Sequence, residues 1–222
     1  MTTAALIDVV IKYGDSVDSA DADNAGRRTR VLQYAQEVFD EVWLFREWRF
    51  RIKSATLTVP DSGTVAAPAD FLEIGEHGGV YNGTHRFAEI FPQEMQANVQ
   101  ANLGQGNYAL YGQTATGIPQ FQFQPAAASL TLFYSKLPPT LIDSTDGATN
   151  NLFAIPAAYH NTVLVPGTIV KTRRSKGDLG DWPEEFKRGL AFMTLRERPR
   201  KSTVQRMPKA VHMRSSSPIF RA

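Results

Sequence analysis

VLQYAQEVFDEVWLFREWRFRIKSATLTVP, residues 31–60, is where the periodicity of this chain changes. Val31, Leu32, Ala35, Val38, Phe39, Val42 and Phe45 recur at three- and four-residue spacing with Gln, Glu and Asp between them, the pattern of an amphipathic helix. After Lys53 the period becomes two. Ala55, Leu57 and Val59 fall on one side and Ser54, Thr56 and Thr58 on the other, as in a strand with one buried face. The helix is expected from Arg27 to about Arg49, with Trp43 and Trp48 anchoring its end to the layer that follows. A helical part therefore hands over to a β part near residue 53.

Upstream, Ala5, Leu6, Val9 and Val10 share a face of a short helix from Thr3 to Tyr13, and Gly14 supplies its stop. The acidic link DSVDSADADNAG follows. Downstream, VYNGTHRF places Asn82-Gly83 between alternating runs, the preferred filling of a type I′ hairpin turn, which needs positive φ at both central residues. PQEMQANVQANLG predicts one inserted helix, with Pro92 in its first turn and Gly104 at its C-cap. NYALYGQTATGIPQFQFQP and SLTLFYSKLPP give three more strands, Phe121 and Phe123 alternating with Gln120, Gln122 and Gln124.

From Ile155 the pattern turns helical again, with Pro156 near the start and a kink expected at Pro166-Gly167. In DWPEE, Asp181 and Glu184 have the spacing of a capping box, and Trp182, Phe186, Leu190 and Met193 form the buried stripe of a last helix that Pro199 closes. The expected fold class is α+β. N-terminal helices (1–53) and C-terminal helices (151–198) pack as a bundle. A mostly antiparallel sandwich or barrel of about six strands (54–150) is inserted, carrying a helix at about 92–103, and an extended basic tail (199–222) follows.

With 42% hydrophobic and 21% charged residues, 222 residues can bury a sizeable core. The absence of Cys excludes disulfides, thiolate metal sites and a cysteine nucleophile. No apolar run approaches the ~20 residues that span a bilayer, and the N-terminus lacks a basic leader, so the chain reads as soluble and unexported. Its net charge of +2 hides a split. Residues 1–170 hold 10 Lys/Arg against 17 Asp/Glu, and residues 171–222 hold 14 against 5, so the body is −7 and the C-terminal quarter +9. Such a basic end meets something acidic, either a neighbouring copy or DNA.

Motifs for catalysis and cofactors are weak. His77, His85, His160 and His212 never fall at the helical spacing that brings two imidazoles to one Zn²⁺, although His77 and His85 flank the hairpin and could meet across it. GQGNYA (104–109) satisfies a loose dinucleotide pattern, but a helix precedes it and a strand follows, the reverse of the order that sets a pyrophosphate on a helix N-terminus. DADNAG (21–26) starts like a calcium loop, yet Ala25 and Leu32 stand where ligands belong. Glu37, Asp40, Glu41 and Glu47 lie on the polar side of the long helix, where a carboxylate pair could in principle cleave a glycoside; exposed-face charges explain them more simply. No catalytic residue, metal or cofactor is assigned, and the chain is not read as an enzyme.

The tail carries Arg200, Lys201, Arg206, Lys209, Arg214 and Arg221, nothing acidic, three prolines and Phe220 as its one aromatic residue. Single-stranded nucleic acid would call for more aromatic stacking, and the segment has too little apolar surface to order itself. It is expected to be held by a protein partner through Arg200, Lys201, Arg206, Lys209, Arg214 and Phe220. TLIDSTDGATNN (140–151) is expected to be an exposed contact loop, with Asp143, Thr145, Asp146 and Asn150 as its contact residues.

Three stretches together resemble the head-to-tail adaptor proteins of short-tailed bacteriophages, also called tail tubular, gateway or connector proteins. APADFLEI (67–74) supplies Pro68, Asp70 and Phe71. The run 108–141 supplies Tyr108, Gly112, Pro125, Tyr134 and Pro138, and FAIPAAYHNTVLVPGTIVKTRRSKGD (153–178) supplies Ile155, Pro156, Gly177 and Asp178. The likeness covers roughly residues 1–198. It implies a virion protein of the neck, assembled in the host cytoplasm as a ring, usually of twelve copies, beneath the portal. Double-stranded DNA would pass through the lumen without specific binding. The helices would pack around the ring, the β part would face the tail nozzle or other tail proteins, and the C-terminal segment would extend toward the portal. Two readings compete with it: a sequence-tolerant DNA-binding protein using the basic tail, and a virion-associated cell-wall hydrolase.

Overall fold

The computed structural model describes residues 1–14, 24–100, 106–124, 129–146, 149–174, 177 and 179–197. The fold is α+β, with five α-helices and two sheets among those residues. Helix α1 (Thr3–Gly14) buries Leu6, Ile7 and Val10, and helix α2 (Asn24–Leu44) buries Val31, Ala35, Val38, Phe39, Val42 and Trp43. Helices α4 (Val165–Arg173) and α5 (Trp182–Glu197) share the same apolar core. Five consecutive residues of α4, Val165 to Ile169, are buried, because α1, α2 and α5 all pack against it. The buried first half of the helix needs no polar face, whereas its last turn carries Lys171 and Arg173.

Helix α2 stops earlier than its apolar period suggests, at Leu44 rather than near Arg49. The Trp48 indole N–H donates to the carbonyl of Val42 at 2.5 Å, and Arg51 Nη1 donates to the carbonyls of Trp43 and Arg46, both at 2.8 Å. Side chains thus take over carbonyls that further helix would have used. Phe45, expected in the buried stripe, is 57% exposed in consequence, whereas Trp43 and Trp48 are fully buried.

The β part forms two sheets. In the first, β1 (Ile52–Thr58) and β4 (Gly79–Asn82) flank β9 (Ser129–Lys136), β5 (His85–Arg86) continues beyond β4, and β3 (Phe71–Glu73) also pairs with β9. The second has the order β2 (Thr64–Ala66), β8 (Pro119–Gln124), β7 (Asn107–Gln113), β6 (Ala88–Glu89). Every ladder is antiparallel except that of β6 with β7. Phe121 and Phe123 point inward from the second sheet and meet Leu130, Leu132, Tyr134 and Phe71 from the first, so a second core lies between the two. Among the described residues the nine strands exceed the six expected by β2, β3 and β6, which are only two or three residues long, too short to show a period.

Three further expectations change in detail. The hairpin pairs Asn82 with His85, so its central residues are Gly83 and Thr84 rather than Asn82-Gly83. Only Gly83 (φ 58°) is left-handed, so one glycine satisfies the turn. Helix α3 (Pro92–Gln100) opens at Pro92 as expected, with Glu94 accepting from the Phe91 N–H. The helical run after Ile155 begins as two 3₁₀ turns (Leu152–Ala154 and Ala157–Tyr159) and a π-turn (His160–Leu164), and Pro166 stands in the first turn of α4. At the start of α5, Glu184 gives its carboxylate to Lys187 instead of turning back to close a capping box.

Candidate functional site

The loop between β9 and the first 3₁₀ turn is fastened onto the helices. Gln36 of α2 accepts the Leu141 N–H at 2.6 Å and donates to Asp40 at 2.7 Å. Arg28 of α2 forks onto Asp143, Nε to Oδ2 at 2.9 Å and Nη2 to Oδ1 at 2.8 Å, and its Nη1 reaches Asp8 of α1. The bond to Asp143, opposed by partial burial and reinforced by Asp8, pushes the guanidinium further above its ordinary value. Thr3 Oγ1 donates to the Asn150 carbonyl at 3.0 Å, and Asn150 Oδ1 accepts the Leu152 N–H at 2.9 Å.

Of the four loop residues singled out by sequence, Thr145 and Asp146 are exposed and Asp143 is turned onto Arg28. Asn150 is fully buried, so it supports the loop rather than contacting a partner. Its amide oxygen and carbonyl are engaged inside the fold. Ile142, in the same loop, is 49% exposed, an apolar surface residue that sequence reasoning passed over. Arg28 was also missed, because its partner lies 115 residues away and no local motif marks the pair.

At the meeting of the two parts, Asp70 accepts from the Tyr134 hydroxyl at 2.6 Å and from Lys53 at 2.8 Å, while its carbonyl accepts the Leu137 N–H. Burial alone would raise the Asp70 carboxyl; the bonds from Lys53 and Tyr134 outweigh it and hold the group below its ordinary value. Tyr134 is pushed up, first by burial and then by Asp70. Phe71 lies edge-on to Phe121 at 5.4 Å. Asp70, Phe71 and Tyr134 therefore fasten β1, β3 and β9 together, and the Pro68 carbonyl accepts the Phe71 N–H at the entry to β3. Trp43 Nε1 donates to the Lys136 carbonyl at 2.9 Å, and the buried Arg51 reaches Glu73 at 3.4 Å, tying the end of α2 to the first sheet.

The remaining candidates separate. His77 lies in the turn before β4, where its backbone N–H donates to Glu47, whereas His85 pairs across the hairpin with Asn82, so the two do not meet across it. His160 is buried with Nε2 bonded to the Ile155 carbonyl at 2.8 Å, and burial lowers its pKa. Among the described residues no group of three or more His, Asp or Glu is placed to hold a metal. Glu37 and Glu41 both pair with Lys171 of α4 on the exposed side of α2, and Asp40 accepts from Gln36, so each of these carboxylates has a partner within the chain. In the dinucleotide-like run, Gly106 (φ 84°) turns directly into β7, after α3. Asp21, Asp23, Gly104, Pro125, Asp178 and His212 lie outside the described residues, as does the whole tail with Arg200, Lys201, Arg206, Lys209, Arg214 and Phe220.

Helix α5 presents Arg188, Phe192, Leu195 and Arg196 outward, with Leu195 83% exposed. A groove of about 370 Å³ runs beside Phe192 over Gly189, Thr162 and Pro166. No helix among the described residues is long and apolar enough to cross a membrane. The features with contact chemistry are thus surfaces: the face of α5, the loop at Ile142–Asp146, and the exposed end of α2.

No curated protein matches the chain. The family model described as SU10 adaptor protein matches residues 1–206, which takes in both cores, the Asp70–Tyr134 fastening and the start of the tail through Arg206. Lys209, Arg214 and Phe220 lie beyond the match. The chain belongs to the SU10 adaptor protein family, a family of phage head-to-tail adaptors.

Proposed function

We propose that the protein is a non-enzymatic component of the virion neck, forming a ring, of twelve copies, that joins the portal vertex to the tail and lines part of the conduit through which the genome is retained and ejected. The observation that carries this reading is the family match over residues 1–206. Two features support it. The helices share one core and the sheets another, joined through Arg51, Trp43 and the loop pinned by Arg28, a build suited to holding two different neighbours at once. The body is acidic over residues 1–170, so a lumen lined by it would let double-stranded DNA slide, whereas each neutralised phosphate would strengthen binding and slow ejection.

In this reading residues 1–53 and 151–198 form the ring-building bundle. Residues 54–150 face the tail nozzle, with Thr145 and Asp146 at the contact loop. The basic segment 199–222 grips the portal or an adjacent copy through Arg200, Lys201, Arg206, Lys209, Arg214 and Phe220. Truncation after Arg198 tests the last element. Loss of association with portal rings, with the thermal transition of the body unchanged, is the expected result; undiminished docking removes the tail from the portal contact. Salt-sensitive retention of DNA by the monomer would instead favour the DNA-binding reading.

A further inference from the structure

Two helix faces of this chain are exposed, partly apolar and of opposite net charge: Glu185 also lines the groove on α5, and Lys171 sits on the glutamates of α2. On α5, Phe192 (52% exposed) and Leu195 (83%) stand between exposed Arg188 and Arg196, and Arg196 lies 5.8 Å from the centre of the Phe192 ring. The groove beside Phe192 has a floor without side-chain bulk at Gly189. On α2, Glu37, Glu41 and Leu44 follow one another at helical spacing on the exposed side, with Phe45 just past the helix end; Leu44 is 54% and Phe45 57% exposed. Lys171 holds Glu37 and Glu41 from within the chain, yet both carboxylates are more than half exposed and keep lone pairs for a second cation.

We infer that these faces are the two halves of one contact between copies of the chain: Leu44 and Phe45 of one copy against the α5 groove, Phe192 and Leu195 of the next, with Glu37 and Glu41 opposite Arg188 and Arg196. The inference rests on the ring reading above and names the surfaces that would build it. Single exposed apolar residues need no explanation; two on each of two surfaces, each beside a net charge of opposite sign, do: Arg188 and Arg196 outnumber Glu185 at the α5 groove, and Glu37 and Glu41 outnumber Lys171 beside the end of α2. Charge also selects the pairing. Two α5 faces would bring two net positive surfaces together and two α2 faces two net negative ones, so the head-to-tail contact is favoured over a twofold dimer. Because each copy offers one face and keeps the other, the contact propagates from copy to copy and closes into a ring when the rotation allows.

The chain has no cysteine, which makes cross-linking selective. Leu44→Cys and Leu195→Cys replace exposed side chains and leave both cores intact. On mild oxidation the double variant should give a ladder of dimers, trimers and higher species, and an equimolar mixture of the two single variants should give dimers only. Thr58→Cys, exposed on β1, paired with Leu195→Cys should give neither. Arg188→Glu should abolish the ladder, and adding Glu41→Arg should restore it. If sedimentation shows association but the ladder is absent, or the Thr58 control cross-links equally, this contact is wrong and the ring survives. A chain that sediments as a monomer at every concentration, with portal and without, overturns both.

Discussion

The carbonyl oxygen of Thr162 approaches Gly189 so closely that a methyl group on Gly189 would lie 1.8 Å from it. Pro166 has no N–H to offer that carbonyl and the chain there is a π-turn, so the backbone of one helical segment rests directly on the backbone of α5. Gly189→Ala should therefore destabilise the protein by about 3 kcal/mol, since backbone cannot swing aside as a side-chain end can. For a chain of this length that lowers Tm by roughly 6–12 °C. A Tm within a degree of the wild type would show that α5 can lift off without cost.

Arg51 is buried and divides its guanidinium between the carbonyls of Trp43 and Arg46 and the carboxylate of Glu73. Arg51→Met keeps much of the volume but strips these acceptors of their donor, at about 2–4 kcal/mol. Arg51→Lys should recover only part of the loss, because an ammonium cannot reproduce the planar fork. Urea midpoints of the three proteins check the order, wild type above Lys above Met.

These two sites show what the sequence could and could not convey. The change of period after Lys53 announced the helical and β parts, and the apolar spacing placed α1, α2 and α5, because both follow from which side chains face a core. The end of α2 was not legible: neither glycine nor proline marks it, and the carbonyls are taken by Trp48 and by Arg51, whose roles depend on the chain turning back. Asp143 looked like an exposed loop acid until Arg28, 115 residues away, was brought against it. The Pro68, Asp70, Phe71 and Tyr134 pattern was legible as a family resemblance, and the structure supplies its physical content as a fastening between strands.

The Asp70–Tyr134 bond can be isolated. Asp70→Asn and Tyr134→Phe should each cost about 1 kcal/mol, and the double variant less than their sum, the signature of a direct pair. The folded carboxyl sits below its unfolded value, so its contribution is present above the ordinary carboxylate range and is lost as pH falls through the depressed value. The wild-type advantage over Asp70→Asn should accordingly shrink in acid. An advantage independent of pH would mean the charge is irrelevant.

His160 titrates in the opposite setting. Burial keeps it neutral when folded, whereas the unfolded chain takes up a proton near pH 6.5, so unfolding is favoured increasingly as pH drops below that value toward the depressed folded one. His160→Gln retains a donor for the Ile155 carbonyl and removes the titration. Between pH 7.5 and 5.5 the urea midpoint of the wild type should fall by more than that of the variant. Equal falls would locate the acid sensitivity elsewhere.

The adaptor reading itself is tested most directly by counting copies on the portal. The purified chain is mixed with portal rings of its own phage, and the mass of the complex is measured by native mass spectrometry at two salt concentrations. The account predicts a discrete complex carrying one closed ring of the chain, twelve copies, at both. A chain that leaves the portal bare, or that associates only through DNA and is released by salt, would contradict it.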